Sequence, residues 1–237
     1  MENIILLNEK NKLPKHVSII MDGNRRWAKS KKLPIPQGHK AGSEALKIII
    51  RRCIQLKIPY LTVYAFSSEN WSRPKSETDS LLKLLKYLLN SDKNKIIKNG
   101  IKINFIGNLT AFSHDIQSKF ESLSNKTKDL NNLTLSIAIN YGSRLEIVTA
   151  INKILKLKQN FEVTEENFSK FLYTYNIPDP DLVIRTGGAK RLSNFLLWQS
   201  SYTEFYFTKT LWPEFNNIAF DKALIEYSTR ERTYGSN

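Results

Sequence analysis

His16-Val17-Ser18-Ile19-Ile20-Met21-Asp22-Gly23-Asn24-Arg25-Arg26-Trp27 is the stretch on which the fold turns, because an apolar run halts at a carboxylate, a glycine, an amide and two guanidiniums. Val17 to Met21 reads as a buried strand. The polar cluster Asp22 to Arg26 then emerges at its carboxyl end, where open α/β sheets bind ligands. Gly23 lets the backbone approach an anion, Asn24 offers amide hydrogens, and guanidinium forks match phosphate oxygens. A bare carboxylate beside an anion is repelled, so Asp22 reads as a handle for a divalent cation or as a proton acceptor. Asp-Gly alone also serves as a plain turn, but Arg25, Arg26 and Trp27 tip the balance toward a metal-diphosphate site.

The same grammar recurs along the chain. Tyr60 to Phe66 reads as a strand ending in Ser67-Ser68-Glu69-Asn70-Trp71-Ser72-Arg73-Pro74. Asp181 to Ile184 ends in Arg185-Thr186-Gly187-Gly188 and runs on to Arg191-Leu192-Ser193-Asn194. Ile101 to Ile106 ends in Gly107-Asn108, and Leu133 to Ile139 ends in Asn140-Tyr141-Gly142-Ser143-Arg144. In a parallel sheet those ends share one edge, and the sequence predicts one crevice that collects all five clusters.

Between the strands lie helical patterns. Lys40 to Leu56 places Leu46, Ile49, Ile50 and Cys53 on one stripe, and Ser80 to Leu89 does the same with Leu81, Leu84, Leu85 and Leu88. Ser76 with Asp79 is the predicted cap of the second helix. Such alternation predicts an α/β fold, a mainly parallel sheet with helices on both faces. At 237 residues the chain suits one core,. Residues 15–237 read as a single domain, with 1–14 as a flexible extension.

Composition bounds the function classes. The lone cysteine, Cys53, sits on an apolar stripe and reads as a core residue in a reducing compartment,. His16, His39 and His114 lack metal-ligand spacing. No basic leader or spanning stretch is legible, which predicts a cytoplasmic protein with at most peripheral membrane contact. The net charge of +14 invites a nucleic-acid reading. The 26 lysines, however, accompany 25 isoleucines and 22 asparagines, a joint excess that looks like genomic drift. The arginines are more telling. Six of ten, Arg25, Arg26, Arg73, Arg144, Arg185 and Arg191, fall in the strand-end loops, where bidentate anion binding needs them,.

Several single features stay open. Gly38-His39-Lys40-Ala41-Gly42 precedes the predicted helix start, where backbone amides hold phosphate, yet a histidine there also serves as a cap or surface residue. Thr186-Gly187-Gly188 is a chain reversal or, with Arg185 and Arg191 beside it, an anion nest. Glu204, an acid in the aromatic run Trp198 to Phe207, is a second metal ligand or a partner for a basic side chain. Walker loops, dinucleotide fingerprints and Asp-Asp-x-x-Asp pairs are absent,. Two anion-binding loop groups with few acids suggest two diphosphates and about one Mg²⁺.

Met21 to Lys29, Gly38 to Gly42, Ala65 to Pro74, Asp181 to Gly188, and Ser193 to Gln199 with Glu204 together resemble the cis-prenyltransferases, the bacterial undecaprenyl diphosphate synthases in particular. The resemblance covers about Lys15 to Gly235, in order and in spacing. It implies repeated addition of isopentenyl diphosphate, in cis, to an allylic primer such as farnesyl diphosphate. It implies an apolar tunnel, Mg²⁺ and a homodimer, with product release at a membrane and no nucleic acid.

By position, the resemblance assigns Asp22 to magnesium and catalysis, with Glu204 completing the metal site, across a homodimer if not within one chain. Gly23, Asn24, Arg25, Arg26, Trp27 and His39 take the allylic diphosphate. Arg185, Arg191, Leu192 and Ser193 take isopentenyl diphosphate. Ser67, Ser68, Glu69, Asn70, Trp71 and Arg73 form a mobile loop, in which the resemblance credits Asn70 with accepting the proton; a neutral amide is a very weak base, so Asn70 reads instead as orienting substrate while a diphosphate oxygen or Asp22 takes the proton. Ser43 and Ala65 start the tunnel, and Leu133 and Ile139 wall it. The chain departs from the family pattern at Arg25, usually glycine in bacterial members, at Ile35, usually a diphosphate-binding arginine, and at Ala189, often an acid. Arg25 is expected to replace part of the missing charge. A non-catalytic partner subunit and a nucleic-acid-binding protein are the alternatives.

Overall fold

The computed structural model describes residues 13–91, 93–157 and 162–232, so most of the predicted extension 1–14 lies outside the described residues. In chain order the main elements are β1 (His16–Ile20), α1 (Asn24–Ser30), α2 (Ile35–Gln55), β2 (Tyr60–Ser67), α3 (Lys75–Ser91), α4 (Lys93–Lys98), β3 (Ile101–Ile106), α5 (His114–Thr127), β4 (Leu133–Tyr141), α6 (Ser143–Leu155), α7 (Glu165–Ser169), β5 (Leu182–Arg185), β6 (Glu204–Phe207) and α8 (Asn217–Ser228). A 3₁₀ turn, Ser68–Ser72, follows β2.

All six strands run parallel in the order β3-β4-β2-β1-β5-β6. The central strand β1 is buried along its whole length, as expected where both faces of a parallel sheet are covered,. Val17 and Ile19 face a core shared with Ile49 and Cys53 of α2, Phe120 of α5 and Leu224 of α8. Ile20 and Val183 face the other way, against Tyr141, Phe195 and Leu196. Beyond that layer α6 and α7 pack through Ala150, Ile154 and Phe168 onto Trp198. A bidentate pair, Arg52 to Asp221 at 2.7 Å, ties α2 to α8 where both side chains are buried.

Two predicted helix starts move. α2 begins at Ile35, behind Pro34 with Pro36 in its first turn, so Gly38 to Gly42 lies inside the helix rather than before it. Proline is tolerated in the first helical turn because its missing N–H would be unpaired there anyway. The backbone amides around His39 are therefore spent within the helix and do not form a phosphate site. Gly38 and Gly42 serve a different purpose: a Cβ on either would strike Asn24, so their bareness lets α1 and α2 touch. α3 starts at Lys75, its first turn closed by Thr78 N–H to the Pro74 carbonyl, which puts Ser76 inside the helix and not at its cap.

Candidate active site

A cleft of about 760 Å³ opens at the carboxyl edge of the sheet, over the ends of β1, β2 and β5. At its centre the chain leaves β1 through Asp22 and turns at Gly23, whose φ of 123° is closed to most side chains,. Asp22 sits between two guanidiniums. Arg26 Nη2 donates to Oδ1 and Arg185 Nη2 donates to Oδ2, each at 3.0 Å. Arg185 ends β5 and is buried; its other terminal nitrogen donates to the Ser193 hydroxyl and the Arg191 carbonyl. Arg26 reaches the Gly187 carbonyl at 2.6 Å, and the Thr186 hydroxyl donates to the Asp22 carbonyl at 2.7 Å. The loops after β1 and β5 are thereby laced into one rim.

The opposite wall comes from α1, α2 and α3. Glu77, buried at the start of α3, accepts from Arg73 at 2.9 Å and faces Arg25 at 3.4 Å and His39 at 3.7 Å. Burial holds the His39 imidazole below its ordinary value, and Arg73 and Arg25 oppose the pull of Glu77 in the other direction. His39 is thus neutral at neutral pH, and its contact with Glu77 is not an ion pair.

Between the two walls lies the 3₁₀ turn. Asn70 Oδ1 accepts the Ser67 N–H at 3.1 Å, which leaves the Asn70 amide hydrogens as the end free for a ligand,. Glu69 is desolvated, which raises a carboxyl, but hydrogen bonds led by that from Asn194 outweigh this and hold it below the usual range,. Across from it, Ser193, Asn194 and Leu196 all adopt left-handed backbone, with φ of 51°, 64° and 45°. Such conformations cost roughly 1–3 kcal/mol each in a non-glycine residue and persist only where the surroundings impose them.

Buried polar atoms without partners gather here. Asn24 Oδ1, His39 Nε2 and Arg185 Nε are three such atoms among the described residues, and all three residues line the cleft. Each such orphan costs about 1–3 kcal/mol, so a polar ligand would find donors and acceptors already desolvated. The cleft continues into an apolar pocket of about 130 Å³ walled by Leu46, Phe66, Leu84, Leu85, Phe112 and Ile139. Met21, Asn24, His39, Ala65 and Leu81 line both.

The structure brings some of the sequence-predicted residues together at the cleft and leaves others outside it. Asp22, Gly23, Asn24, Arg25, Arg26, His39, Ser67, Glu69, Asn70, Arg73, Arg185 and Ser193 all line the cleft. Ser68, Trp27, Trp71, Arg191 and Leu192 do not. Trp27 turns away to donate to Glu214 at 3.1 Å, and Trp71 donates to Asn140 at 2.8 Å while packing on Phe66 and Phe112. Arg191 contributes its carbonyl, and Leu192 packs against the core beneath Phe195. The Gly187-Gly188 turn is no anion nest, since both N–H groups are taken by Thr210 and Thr208 carbonyls at 2.8 and 2.7 Å.

Within one chain Glu204 lies far from Asp22. It pairs in register with Leu182, at the amino end of the sheet, whereas Asp22 follows Ile20, which is in register with Arg185 at the carboxyl end. Its carboxylate is held by Arg230 at 2.6 Å. The strand-end clusters after β3 and β4 also stay outside the cleft: Asn108 and Asn140 bond each other, and Arg144 lies in the first turn of α6. Ser43, Ala65 and Ile139 do line the apolar pocket, while Leu133 lies in the core at the amino end of β4. Lys29, Tyr64, Leu81 and Asn194 line the cleft and carried no assignment from sequence. Lys29 was the findable one, lying one helical turn after Arg25.

Among the described residues no group of three or more His, Cys, Asp or Glu could enclose a metal. The donor set nevertheless suits Mg²⁺, which binds through one or two carboxylates plus substrate phosphates. Each Asp22 oxygen accepts one guanidinium hydrogen bond and keeps lone-pair capacity toward the cleft,.

Residues 20–235 match the prenyltransferase family model described as "Putative undecaprenyl diphosphate synthase". The isoprenyl transferase of Aquifex aeolicus is 47% identical over 224 residues, 94% of this chain and 96% of that one. That of Fusobacterium nucleatum is 49% identical over 229 residues, 96% and 97%. Among solved structures, lavandulyl diphosphate synthase from Lavandula x intermedia, in complex with dimethylallyl diphosphate, aligns with a TM-score of 0.89 at 36% identity over 94% of this chain and 99% of that one. A probable undecaprenyl diphosphate synthase from Campylobacter jejuni aligns with a TM-score of 0.81 at 37% identity, 95% and 100%.

Proposed function

The chain belongs to the prenyltransferase family of undecaprenyl diphosphate synthases, and from that premise we propose that it adds isopentenyl diphosphate units in cis to an allylic diphosphate, farnesyl diphosphate being the expected primer. The product is then a polyprenyl diphosphate of the carrier-lipid type. One observation carries the reading: desolvated, unpartnered polar groups and four arginines at a rim that opens directly into an apolar pocket. A substrate with an anionic head and a hydrocarbon tail fits both parts at once.

In this reading the allylic diphosphate lies against the α1 side, with Asn24, Arg25, Lys29 and His39, and its tail enters the pocket past Ala65. Isopentenyl diphosphate lies against Arg185 and Ser193. As the allylic C–O bond breaks, negative charge grows on the leaving diphosphate, and preorganised guanidiniums stabilise it without reorganising. The neighbouring π-bond attacks the allylic carbon, and a proton leaves the isopentenyl unit. Asn70, its oxygen already engaged, donates its amide hydrogens to orient substrate, so the proton passes to a diphosphate oxygen or to Asp22. Mg²⁺, held by Asp22 and diphosphate, would supply further charge neutralisation at the leaving group.

The homodimer remains part of the proposal. Support comes from α6, whose outer face exposes Leu145, Val148, Ile151 and Leu155 beside an apolar groove of about 460 Å³. A second copy covering that face is the expected partner, and sedimentation should report twice the chain mass. No helix of the described residues is long and apolar enough to cross a membrane, so membrane contact in this proposal is peripheral. Incubating purified protein with labelled isopentenyl diphosphate, farnesyl diphosphate and Mg²⁺, then sizing the lipid-soluble product, tests the whole reading. Absence of any elongated product would overturn it.

A further inference from the structure

Three loops distant in sequence converge on Asn194. Its Nδ2 donates to Glu69 Oε1 at 2.9 Å, its Oδ1 accepts the Arg144 N–H at 2.9 Å, and its carbonyl accepts the Ser143 N–H at 2.8 Å. Gly142 makes the meeting possible, because a Cβ there would collide with both Ser68 Oγ and Asn194 Nδ2. The neighbours on either side reach the chemistry. Ser193 accepts from Arg185, which holds Asp22. Asn70 follows Glu69 and its side chain caps the same turn. Glu69 and Asn194 thus form a direct side-chain bridge between the loop that carries Asn70 and the loop that carries Ser193.

We propose that Asn194 is a positioning residue, coupling the filling of the diphosphate subsite at Arg185 and Ser193 to the placement of Asn70 through Glu69. The inference rests on the reading that this subsite takes isopentenyl diphosphate. A diphosphate pulling on Ser193 moves Asn194, and Asn194 sets the 3₁₀ turn in which Asn70 lies. Asn70 is aimed only when the second substrate is present, so an allylic diphosphate bound alone is not exposed to a completed site.

Three full-length variants test this: Asn194→Ala, Glu69→Ala and Glu69→Gln, the last keeping an oxygen that accepts from Asn194. A displacement of about 1 Å at reacting groups costs up to ~10²-fold in rate. Accordingly kcat should fall roughly 10- to 100-fold in both alanine variants while the allylic KM stays within about twofold. Glu69→Gln should recover most of the loss, and the double alanine variant should be no worse than the poorer single one. A second readout needs no turnover. Isopentenyl diphosphate alone should change the Trp71 emission, isolated by subtracting a Trp71→Phe blank, in the wild type but not in Asn194→Ala, although calorimetry still detects binding.

A wild-type kcat in Asn194→Ala, or failure of Glu69→Gln to rescue, overturns the coupling and leaves the prenyl-transfer reading intact. A lowered melting temperature with unchanged kcat assigns Asn194 a merely structural part and also overturns it. A wild-type protein that neither binds isopentenyl diphosphate nor elongates a primer sinks the broader reading, and this inference with it.

Discussion

Asp22 and Arg185, separated by 163 positions, meet at 3.0 Å, and the same guanidinium also holds Ser193. One planar fork thereby fixes the acid, the end of β5 and the loop beyond it. A lysine carries the charge but not the geometry. Arg185→Lys should therefore raise the isopentenyl KM at least 10-fold, about 1.4 kcal/mol, and lower kcat as Asp22 loses its partner. Steady-state kinetics on a variant with an unchanged far-ultraviolet spectrum would check this. An unaltered KM would remove Arg185 from the diphosphate subsite.

Arg25 lines the cleft and reaches Glu77 at 3.4 Å, close to Arg73 and His39. With Ile35 where the family resemblance leads one to expect an arginine, we propose that Arg25 supplies part of that charge. Replacing Arg25 by glycine should raise the allylic KM roughly 5- to 20-fold, with a weaker effect on the isopentenyl KM. The idea fails if the allylic KM is unchanged.

Asn70→Asp separates orientation from proton removal. The carboxylate still accepts the Ser67 N–H but offers no hydrogens to substrate. A rate depressed ~10²-fold and flat from about pH 5 to 8 is expected. A steep rise with pH through a carboxylate pKa would instead make residue 70 the base.

The apolar pocket predicts a product-length effect. Ala65 stands where cleft and pocket join, and a leucine there would fill much of the 130 Å³. Ala65→Leu should shift the product toward shorter chains and, because the primer's tail passes the same residue, raise the allylic KM as well. Chromatographic sizing that showed an unchanged distribution would place the growing chain elsewhere.

Stability should depend on pH through His16. Its ring is buried, with Nδ1 at 2.6 Å from the Pro178 carbonyl and Nε2 at 2.7 Å from the hydroxyl of Thr62 on the neighbouring β2, and burial pushes its pKa down to about 4. The unfolded chain binds a proton near pH 6.5 while the folded chain refuses it until about pH 4,. Stability is therefore full above about pH 6.5 and falls between there and pH 4, by up to ~3 kcal/mol in all,. Urea midpoints of wild type and His16→Asn should converge as the pH drops across that window; parallel curves would exclude His16 as the cause.

How legible the molecule was depended on the range of the interaction. The strands stood out by their apolar pattern: β1 is buried along its length as a doubly covered central strand, and the edge strand Ile101 to Ile106, whose isoleucines alternate with Lys102 and Asn104, was legible to the residue,. The bare glycines of α2 looked like a phosphate loop because sequence does not reveal that Asn24 presses against them. Glu204 reads equally as a ligand or as a partner for a basic side chain because an acid among aromatics needs one, and only the folded chain shows that Arg230 is such a partner. Leu192 and Trp71 lie between site residues yet stay outside the cleft, a choice that backbone direction makes and spacing does not.

The left-handed run at Ser193, Asn194 and Leu196 has a consequence for anyone reengineering this chain. Glycine substitutions there would relax the backbone, and a screen for heat resistance would reward them. The same relaxation would slacken the spring that presents the Ser193 hydroxyl to Arg185. Thermal robustness and turnover should therefore trade against each other at these residues, and hardening mutations are better sought on the far side of the sheet.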